Sequence, residues 1–486
     1  MENTIFKSYD TSAVFYDEVF DHNGSIKDVY QNIYQLFNAL DRKEFLQMVE
    51  EAKTSFFNQG ITFAVYSDTE HGTEKIFPFD LFPRIISARE WDHIERGAIQ
   101  RTLAVNEFLY DIYHDKKIIK DKIVPEHLLT SCKNYLPQMM GFEPPGKVYT
   151  HISGTDIIRH SDGQYYVLED NLRSPSGVSY VVNNRLAMKR TLFGMFDKIR
   201  AHPVAEYPEQ LLRMLQSVKP KGVDTPTCVV LTPGAYNSAY YEHVFLAQTM
   251  GVELVEGRDL FVENDFVYMK TIYGPVKVDV IYRRIDDDFI DPRTFRPDSL
   301  LGVPGLIASY KAGKVTLANA PGTGVSDDKA VYTYVPEIIR YYLKEEPILN
   351  NVRTYRCQDE QDMKYILENV DKLVVKPVDE AGGYGISIGN RLTKEEIRQV
   401  KDRIRANPRK YIAQPIMSLS VHATYIEDTQ RFEPRHVDLR TYTLLGKEMT
   451  YVLKGGLTRV ALRKGNLIVN SSQGGGSKDT WVLDEE

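Results

Sequence analysis

Gly154–Gly177 reads GTDIIRHSDGQYYVLEDNLRSPSG, and this stretch decides the fold. Asp162-Gly163 lies between alternating apolar residues, a strong signal for a two-residue hairpin turn. Counting outward from that turn sets Ser161 against Gln164, Ile158 against Val167, Asp156 against Glu169 and Gly154 against Asn171. Residues paired across antiparallel strands share a face, as do residues two apart on one strand, so Asp156, Glu169 and Asn171 project the same way. Like charges directly opposite each other destabilise a sheet. A divalent cation between Asp156 and Glu169 removes that cost, and two carboxylates with an amide carbonyl are hard oxygen donors suited to magnesium. The plainer alternative is a solvated hairpin whose carboxylates meet Arg159, Arg173 or Arg185.

Composition narrows the setting. At 486 residues the chain exceeds one simple core and implies two or three subdomains. With 60 Lys+Arg against 67 Asp+Glu and no basic block, nucleic acid is not an expected partner. Cys132, Cys228 and Cys357 lie far apart without a CxxC, which fits a reducing compartment and argues against a zinc or disulfide framework. The polar, acidic start MENTIFKSYDTSAVFYDEVF shows neither a signal-peptide core nor a membrane span, so the expected location is the cytoplasm.

Along the chain, the first 140 residues read as mainly helical. Ser87 with Glu90 forms a capping box, followed by Trp91, Ile94, Ala98, Val105, Leu109 and Ile112 at helical spacing, a core-packing stripe. Phe77–Pro83 is an extended aromatic segment with no assigned chemistry. The hairpin falls within 141–220, and its following loop, Ser174-Pro-Ser-Gly177, is flanked by Arg173 and Arg185, both able to reach phosphate or carboxylate. Over 221–320 strands and helices alternate: Cys228–Leu231, a helix from Ser238 to Met250, Val252–Val255 and Val278–Tyr282. That alternation marks a parallel α/β unit, whose first strand-to-helix loop places Thr232, Gly234, Tyr236 and Asn237 where ligands bind. No GxGxxG occurs there, which weakens any dinucleotide reading.

Residues 321–435 carry a different pattern. Ser326 is the expected N-cap of a helix bearing Lys329, and Pro336 splits it. Leu373–Val378 is a buried-type strand holding Lys376. It leads into Asp379-Glu-Ala-Gly-Gly-Tyr-Gly385 and a returning strand, Ile386–Ile388. A glycine-rich flap of this kind lays backbone N–H groups on phosphates, with the lysine adding a point charge. The alternative is a glycine hairpin with a snorkelling lysine. No P-loop GxxxxGK[ST] occurs. Tyr411–Pro415 is a further strand, suited to offering backbone hydrogen bonds to an adenine edge. From 436 to 486 a β-meander follows, with strands at His436–Leu444, Thr450–Lys454, Thr458–Leu462 and Leu467–Val469, then a flexible Gln473–Gly476. Asp438, Arg440 and Arg459 are charged residues within strands, as in the lining of a polar cleft.

Taken together, Asp156, Glu169-Asp-Asn171, Lys329, Lys376-Pro377 with its glycine loop, Gln414-Pro415 and Arg459 resemble the ATP-grasp superfamily. The order is rotated, with the acidic residues ahead of the lysines. It is similar to the circularly permuted type 2 ATP-grasp proteins, relatives of the synthetase half of glutathionylspermidine synthase. LEDN…RSPSGVSY, SDDKAVYTYVPEIIRYYL and VVKPVDEAGGYG carry the likeness over nearly the whole chain. The resemblance implies an α+β, circularly permuted ATP-grasp fold with an inserted Rossmann-like α/β subdomain and a mainly helical N-terminal region. It implies Mg2+ on Asp156, Glu169 and Asn171. ATP is implied on Lys329, Lys376, the flap Gly382, Gly383, Tyr384 and Gly385, and Gln414.

The implied reaction is a carboxylate–amine ligation through an acyl phosphate, on small-molecule or peptide substrates. Arg459, Arg440 and Arg173 are the candidates for steadying the transferring phosphoryl group. Synthetase relatives carry an arginine two residues before the metal aspartate, where this chain has Gly154; Arg159, Arg173 and Arg185 are the candidates to replace it. No Cys/His pairing in the N-terminal region suggests a thiol nucleophile, so amide hydrolysis is not expected. A phosphotransferase that stops at a phosphorylated product and a non-catalytic nucleotide-binding scaffold are the alternatives.

Overall fold

The computed structural model describes residues 5–6, 9–11, 14–65, 73–194, 196, 199–380, 385–465, 469 and 475–484. Its organising element is the hairpin, Ile152–Arg159 paired antiparallel with Tyr165–Asn171. Gly154 faces Asn171 and Asp156 faces Glu169, as the sequence predicts, but nearer the turn Ile158 faces Tyr166 rather than Val167. Two irregularities cancel to give this result. The His160 N–H donates to Gln164 O (2.9 Å) and the Gly163 N–H to His160 O (2.8 Å), so the loop holds Ser161, Asp162 and Gly163 instead of two residues. Gly163 takes the left-handed conformation that such a three-residue loop requires, at φ 79°. Leu168 then bulges out between Val167 and Glu169 and returns the carboxylate end to the predicted register.

The hairpin supplies the second and third strands of a nine-stranded sheet. Its order runs Asn350–Asn351, Tyr165–Asn171, Ile152–Arg159, Arg431–Leu445, Leu457–Val460, Gly476–Leu483 and Phe79–Ser87. Val421–Ile426 and Thr450–Val452 also pair with the 15-residue strand Arg431–Leu445. That long strand places Arg440 directly opposite Asp156, while Asp438 faces Arg459 on its other neighbour. The meander and the acidic hairpin are therefore one sheet.

The N-terminal region is mainly helical, yet it contributes the sheet's far edge. Phe79–Ser87 pairs in parallel with Gly476–Leu483, then turns into the helix Ala88–Ile112 through the predicted Ser87–Glu90 capping box. The expected stripe, from Trp91 to Ile112, is buried. The same helix buries Arg101, whose guanidinium holds both oxygens of Asp170 (2.6 and 3.2 Å) and so fixes the hairpin's second strand. Glu18, from the first segment of the chain, forms a buried two-pronged pair with Arg84 at 2.6 Å to each oxygen. Arg84 also donates to the carbonyl of Asp438 (3.1 Å), tying that segment to the strand carrying the site.

Two four-stranded sheets frame the site, beside a two-stranded and a three-stranded one elsewhere among the described residues. Thr316–Ala318, Val280–Arg283, Cys228–Leu231 and Glu253–Val255 form a wholly parallel sheet, with the helix Tyr240–Met250 in the crossover. Tyr355–Arg356, Tyr411–Pro415, Leu373–Pro377 and Ser387–Ile388 form an antiparallel one. Its far face packs Val375 and Ala413 against Ile366, Val400 and Ile404 of two helices. Ser326 is not the cap expected of it. It lies within a 3-10 turn, Thr323–Asp327, and Asp328 caps the Lys329–Tyr332 helix by accepting from Ala330 N (2.8 Å). Pro336 starts the next helix, Val335–Leu343, as predicted. Of the expected Leu467–Val469 strand and flexible Gln473–Gly476, most lies outside the described residues; Gly476 itself opens a buried strand. Among the described residues, no helix is long and apolar enough to cross a membrane.

Burial opposes charge on Glu18, but Arg84 outweighs it and brings the carboxyl down to about 2. Because the folded value lies below the ordinary 4.5, the pair's stabilisation is complete above that pH and fades as pH falls toward 2. Arg84→Ala, which strands Glu18, is expected to cost about 3–5 kcal/mol in urea unfolding at pH 7. The deficit should shrink at pH 3; a loss that is small or independent of pH would contradict the pair.

Candidate active site

The long strand, the hairpin and the antiparallel sheet converge on one cluster of charge. Asp156 is 1% exposed. Arg440 grips it from the neighbouring strand, Nε to Oδ1 at 2.6 Å and a terminal nitrogen to Oδ2 at 2.8 Å. Arg459, one strand further, reaches the same Oδ2 at 2.8 Å while holding Asp438 at 2.8 and 2.5 Å. Burial works against the Asp156 charge, but the two guanidinium groups overcome it and hold the carboxyl well below the usual range. Of roughly four lone-pair positions on the carboxylate, three receive guanidinium protons and one on Oδ1 is left.

Glu169 and Asn171 stand at the more open end. Glu169 Oε2 lies 3.6 Å from Lys329 Nζ, and Lys329 in turn donates to the Glu380 carbonyl at 2.7 Å. Asn171 donates its Nδ2 to Gly154 O (3.3 Å), which leaves its amide oxygen as an acceptor. Together with Asn134, Arg173, Asp327 and Asp379 they line a small pocket of about 30 Å³.

Lys376 enters from the antiparallel sheet. It is 7% exposed. Burial pushes its ammonium down to about 8 against the pull of Glu169, with Lys329 adding to the depression. Among the described residues no carboxylate lies within ion-pair distance of it. A buried cation in that condition is costly unless an anion completes it. Nearby, Gln414 donates to Thr354 Oγ1 (2.9 Å), and its buried Oε1 has no partner among the described residues. The structure thus brings Asp156, Glu169, Asn171, Lys329 and Lys376 together, with Arg440 and Arg459 behind the first. Gly382, Gly383 and Tyr384 lie outside the described residues. Gly385 follows them at φ 69°, and a side chain there would run into the Pro377 ring.

Other expectations resolve differently. Arg173 reaches the pocket but is held by Asp327 (2.7 Å), which also accepts from the Leu172 backbone N–H (2.5 Å). Arg185 is buried against Asp479, and Arg159 pairs with Glu90, so neither serves the cluster. The space a side chain at position 154 would occupy is taken by Pro175 and Arg440, which makes Arg440 the guanidinium beside Gly154. Thr232 bonds His243 and Asn237 caps its own turn, so that loop's polar groups are used locally, and Tyr236 is fully exposed. Asp327, Asp379 and Glu380 were not singled out as site residues from the sequence; Asp327 is placed by the turn at Thr323–Asp327, which the misplaced cap obscured, and Asp379 and Glu380 follow directly on the Lys376 strand.

The model for circularly permuted ATP-grasp type 2 proteins matches residues 83–461. The chain belongs to that family. Among its relatives is an uncharacterised protein of Synechocystis, 54% identical over 477 residues and covering 98% of each chain. An uncharacterised Mycobacterium tuberculosis protein is 49% identical over 482 residues, 99% of this chain and 86% of that one. A Frankia alni protein named provisionally as a glutamate–cysteine ligase is 39% identical over 470 residues, 96% of this chain but only 54% of its own length. The permuted ATP-grasp chain thus spans about half of that relative. Among solved structures, a glutathione synthetase-like effector of Globodera pallida shares the fold, with a TM-score of 0.59 at 12% identity over 91% of this chain and 98% of that one.

The residues fit the groups an ATP-grasp protein uses. Lys376 and the orphaned Gln414 oxygen suit a polyphosphate and a base edge, and magnesium needs only one or two protein carboxylates when phosphate oxygens supply other positions. Asp156→Asn leaves two buried guanidinium groups short of charge and is expected to cost about 3 kcal/mol or more, whereas Glu169→Gln at the open end should stay within about 0.5 kcal/mol. Urea unfolding of the two variants at pH 7 separates them; equal losses would show that Asp156 is not the keystone of the cluster.

Proposed function

We propose that the protein is an ATP- and Mg2+-dependent carboxylate–amine ligase acting through an acyl phosphate. The observation that carries this reading is Lys376, a buried cation without a carboxylate partner among the described residues, in the same cluster as Glu169 and Lys329. When bound, ATP with magnesium supplies an electrophilic γ-phosphoryl group whose charge the metal spreads. Glu169, Asn171 and the open position on Asp156 would hold the metal. Lys329 and Lys376 would neutralise the phosphates, Gln414 would meet the base edge, and the flap 382–385 would cover them.

Arg440 and Arg459 have the further role of meeting charge that develops during transfer. They are placed beside the metal-type carboxylate and are charged at every working pH. The acceptor carboxylate would then carry the phosphoryl group until an amine displaces phosphate and forms the amide. The parallel sheet at 228–318, read as the Rossmann-like subdomain, borders the Ser174–Gly177 loop through Arg284, which donates to the Pro175 carbonyl (2.9 Å) and Ser176 Oγ (2.5 Å). Its surface is where we place the substrate, a small-molecule or peptide carboxylate and amine, with no part for nucleic acid or membrane.

Two experiments test this. ADP release in a pooled carboxylate and amine assay should require both additions. Release that ignores the amine would indicate a phosphotransferase, and tight ATP binding without any release a scaffold. Separately, because the free Lys376 titrates near 8 and phosphate favours its charged form, ATP affinity should hold steady from pH 6.5 to 7.5 and weaken as pH rises through 8. Calorimetric titration across that range, compared with Lys376→Arg, whose charge persists, should show a pH dependence only in the natural protein.

A further inference from the structure

A second pocket, of about 140 Å³, opens beside the nucleotide half and shares no lining residue with the first. Lys376, Ile412 and Arg356 stand in one row across three strands and so share a face of the antiparallel sheet. The short helix Lys329–Tyr332 divides that row. Lys329 lies on the Lys376 side, whereas Ala330 and, just beyond the helix, Tyr334 line the second pocket with Arg356 and Ile412.

The pocket's chemistry is specific. Arg356 stacks on Tyr334, 4.6 Å from the ring centroid, and no ion pair engages it among the described residues. Its neighbour Asp359, which also lines the pocket, caps a helix through Oδ1, accepting from Gln361 and Asp362 N–H at 3.0 Å each. Leu128, Ala330 and Ile412 give the pocket an apolar wall. Room equal to about five waters of bulk liquid, a guanidinium fork without an ion pair among the described residues and an apolar wall suit a small monocarboxylate with a short aliphatic body.

Arg409 connects this pocket to the first. It lines the second pocket and pairs with Asp328 Oδ2 at 2.6 Å. Asp328 is the cap of the helix whose first residue is Lys329. We propose that the second pocket is an effector site for a small monocarboxylate, which draws Arg409 from Asp328, loosens that cap and shifts Lys329 away from the phosphates. The coupling, though not the pocket, rests on the nucleotide reading above.

Butyrate is the probe, titrated calorimetrically into the full chain. Binding is expected in the natural protein and in Lys376→Ala, and it should weaken roughly tenfold or more in Arg356→Gln, the loss typical of a charged hydrogen bond. Should melting curves show Arg356→Gln misfolded, Arg356→Lys, which keeps the stem on Tyr334 but loses the fork, takes its place. Saturating butyrate should raise the dissociation constant of a fluorescent ATP analogue about fivefold or more in the natural protein and leave it unchanged in the Arg356 variant. No butyrate binding, binding that survives the loss of Arg356, or binding lost in Lys376→Ala would overturn the site. Butyrate binding without effect on the nucleotide would overturn the coupling. If no nucleotide binds at all, the ligase reading fails, while the butyrate titrations still decide the pocket.

Discussion

The structure depends on one buried charge network, Asp438–Arg459–Asp156–Arg440, strung across three adjacent strands. Two carboxylates and two guanidinium groups sum to zero, which is what permits them in a sheet interior where a single ion would be prohibitively costly. The network also dictates strand order. Only with Arg431–Leu445 between the hairpin and Leu457–Val460 do both arginines reach Asp156. The rest of the molecule braces this arrangement: Arg101 pins the neighbouring hairpin residue Asp170, and Arg84 holds the Asp438 carbonyl.

A neutral network at the floor leaves one of the two lysines above it, Lys376, without a carboxylate partner among the described residues, since Lys329 pairs with Glu169 at 3.6 Å. Asp156 is already matched by two arginines, so it offers little to Lys376, and Glu169 is nearer to Lys329. The cluster therefore sets one ammonium without a carboxylate partner among the described residues, Lys376, beside a row of oxygen donors. That arrangement suits a polyphosphate chelating a metal better than either component alone.

Much of this was legible before any coordinates. The Asp-Gly turn, the alternation around it and the charged residues inside predicted strands pointed to Asp156, Glu169, Arg440 and Arg459, because period-2 patterning and buried charge are local signals. The lysine strand was equally readable, since Lys376 interrupts an apolar run. What escaped was non-local or masked by polar residues. Gly476–Leu483 contains Lys478 and Asp479, each buried against a partner far away in sequence, so its hydrophobic pattern is broken. Val421–Ile426 carries His422 and Thr424, whose burial is set by the sheet and not by their type. The cap moved from Ser326 to Asp328 because a 3-10 turn consumed the intervening residues, a choice made by the Arg173–Asp327 and Arg409–Asp328 pairs.

The paired irregularities of the hairpin have a consequence for how this chain tolerates change. Leu168 acts as a slack link between the tip and the oxygen-bearing end, so the spacing of Asp156 and Glu169 is insulated from events at Ser161–Gly163. Evolution can lengthen, decorate or recruit that tip to a new neighbour while the chemistry below it keeps its geometry.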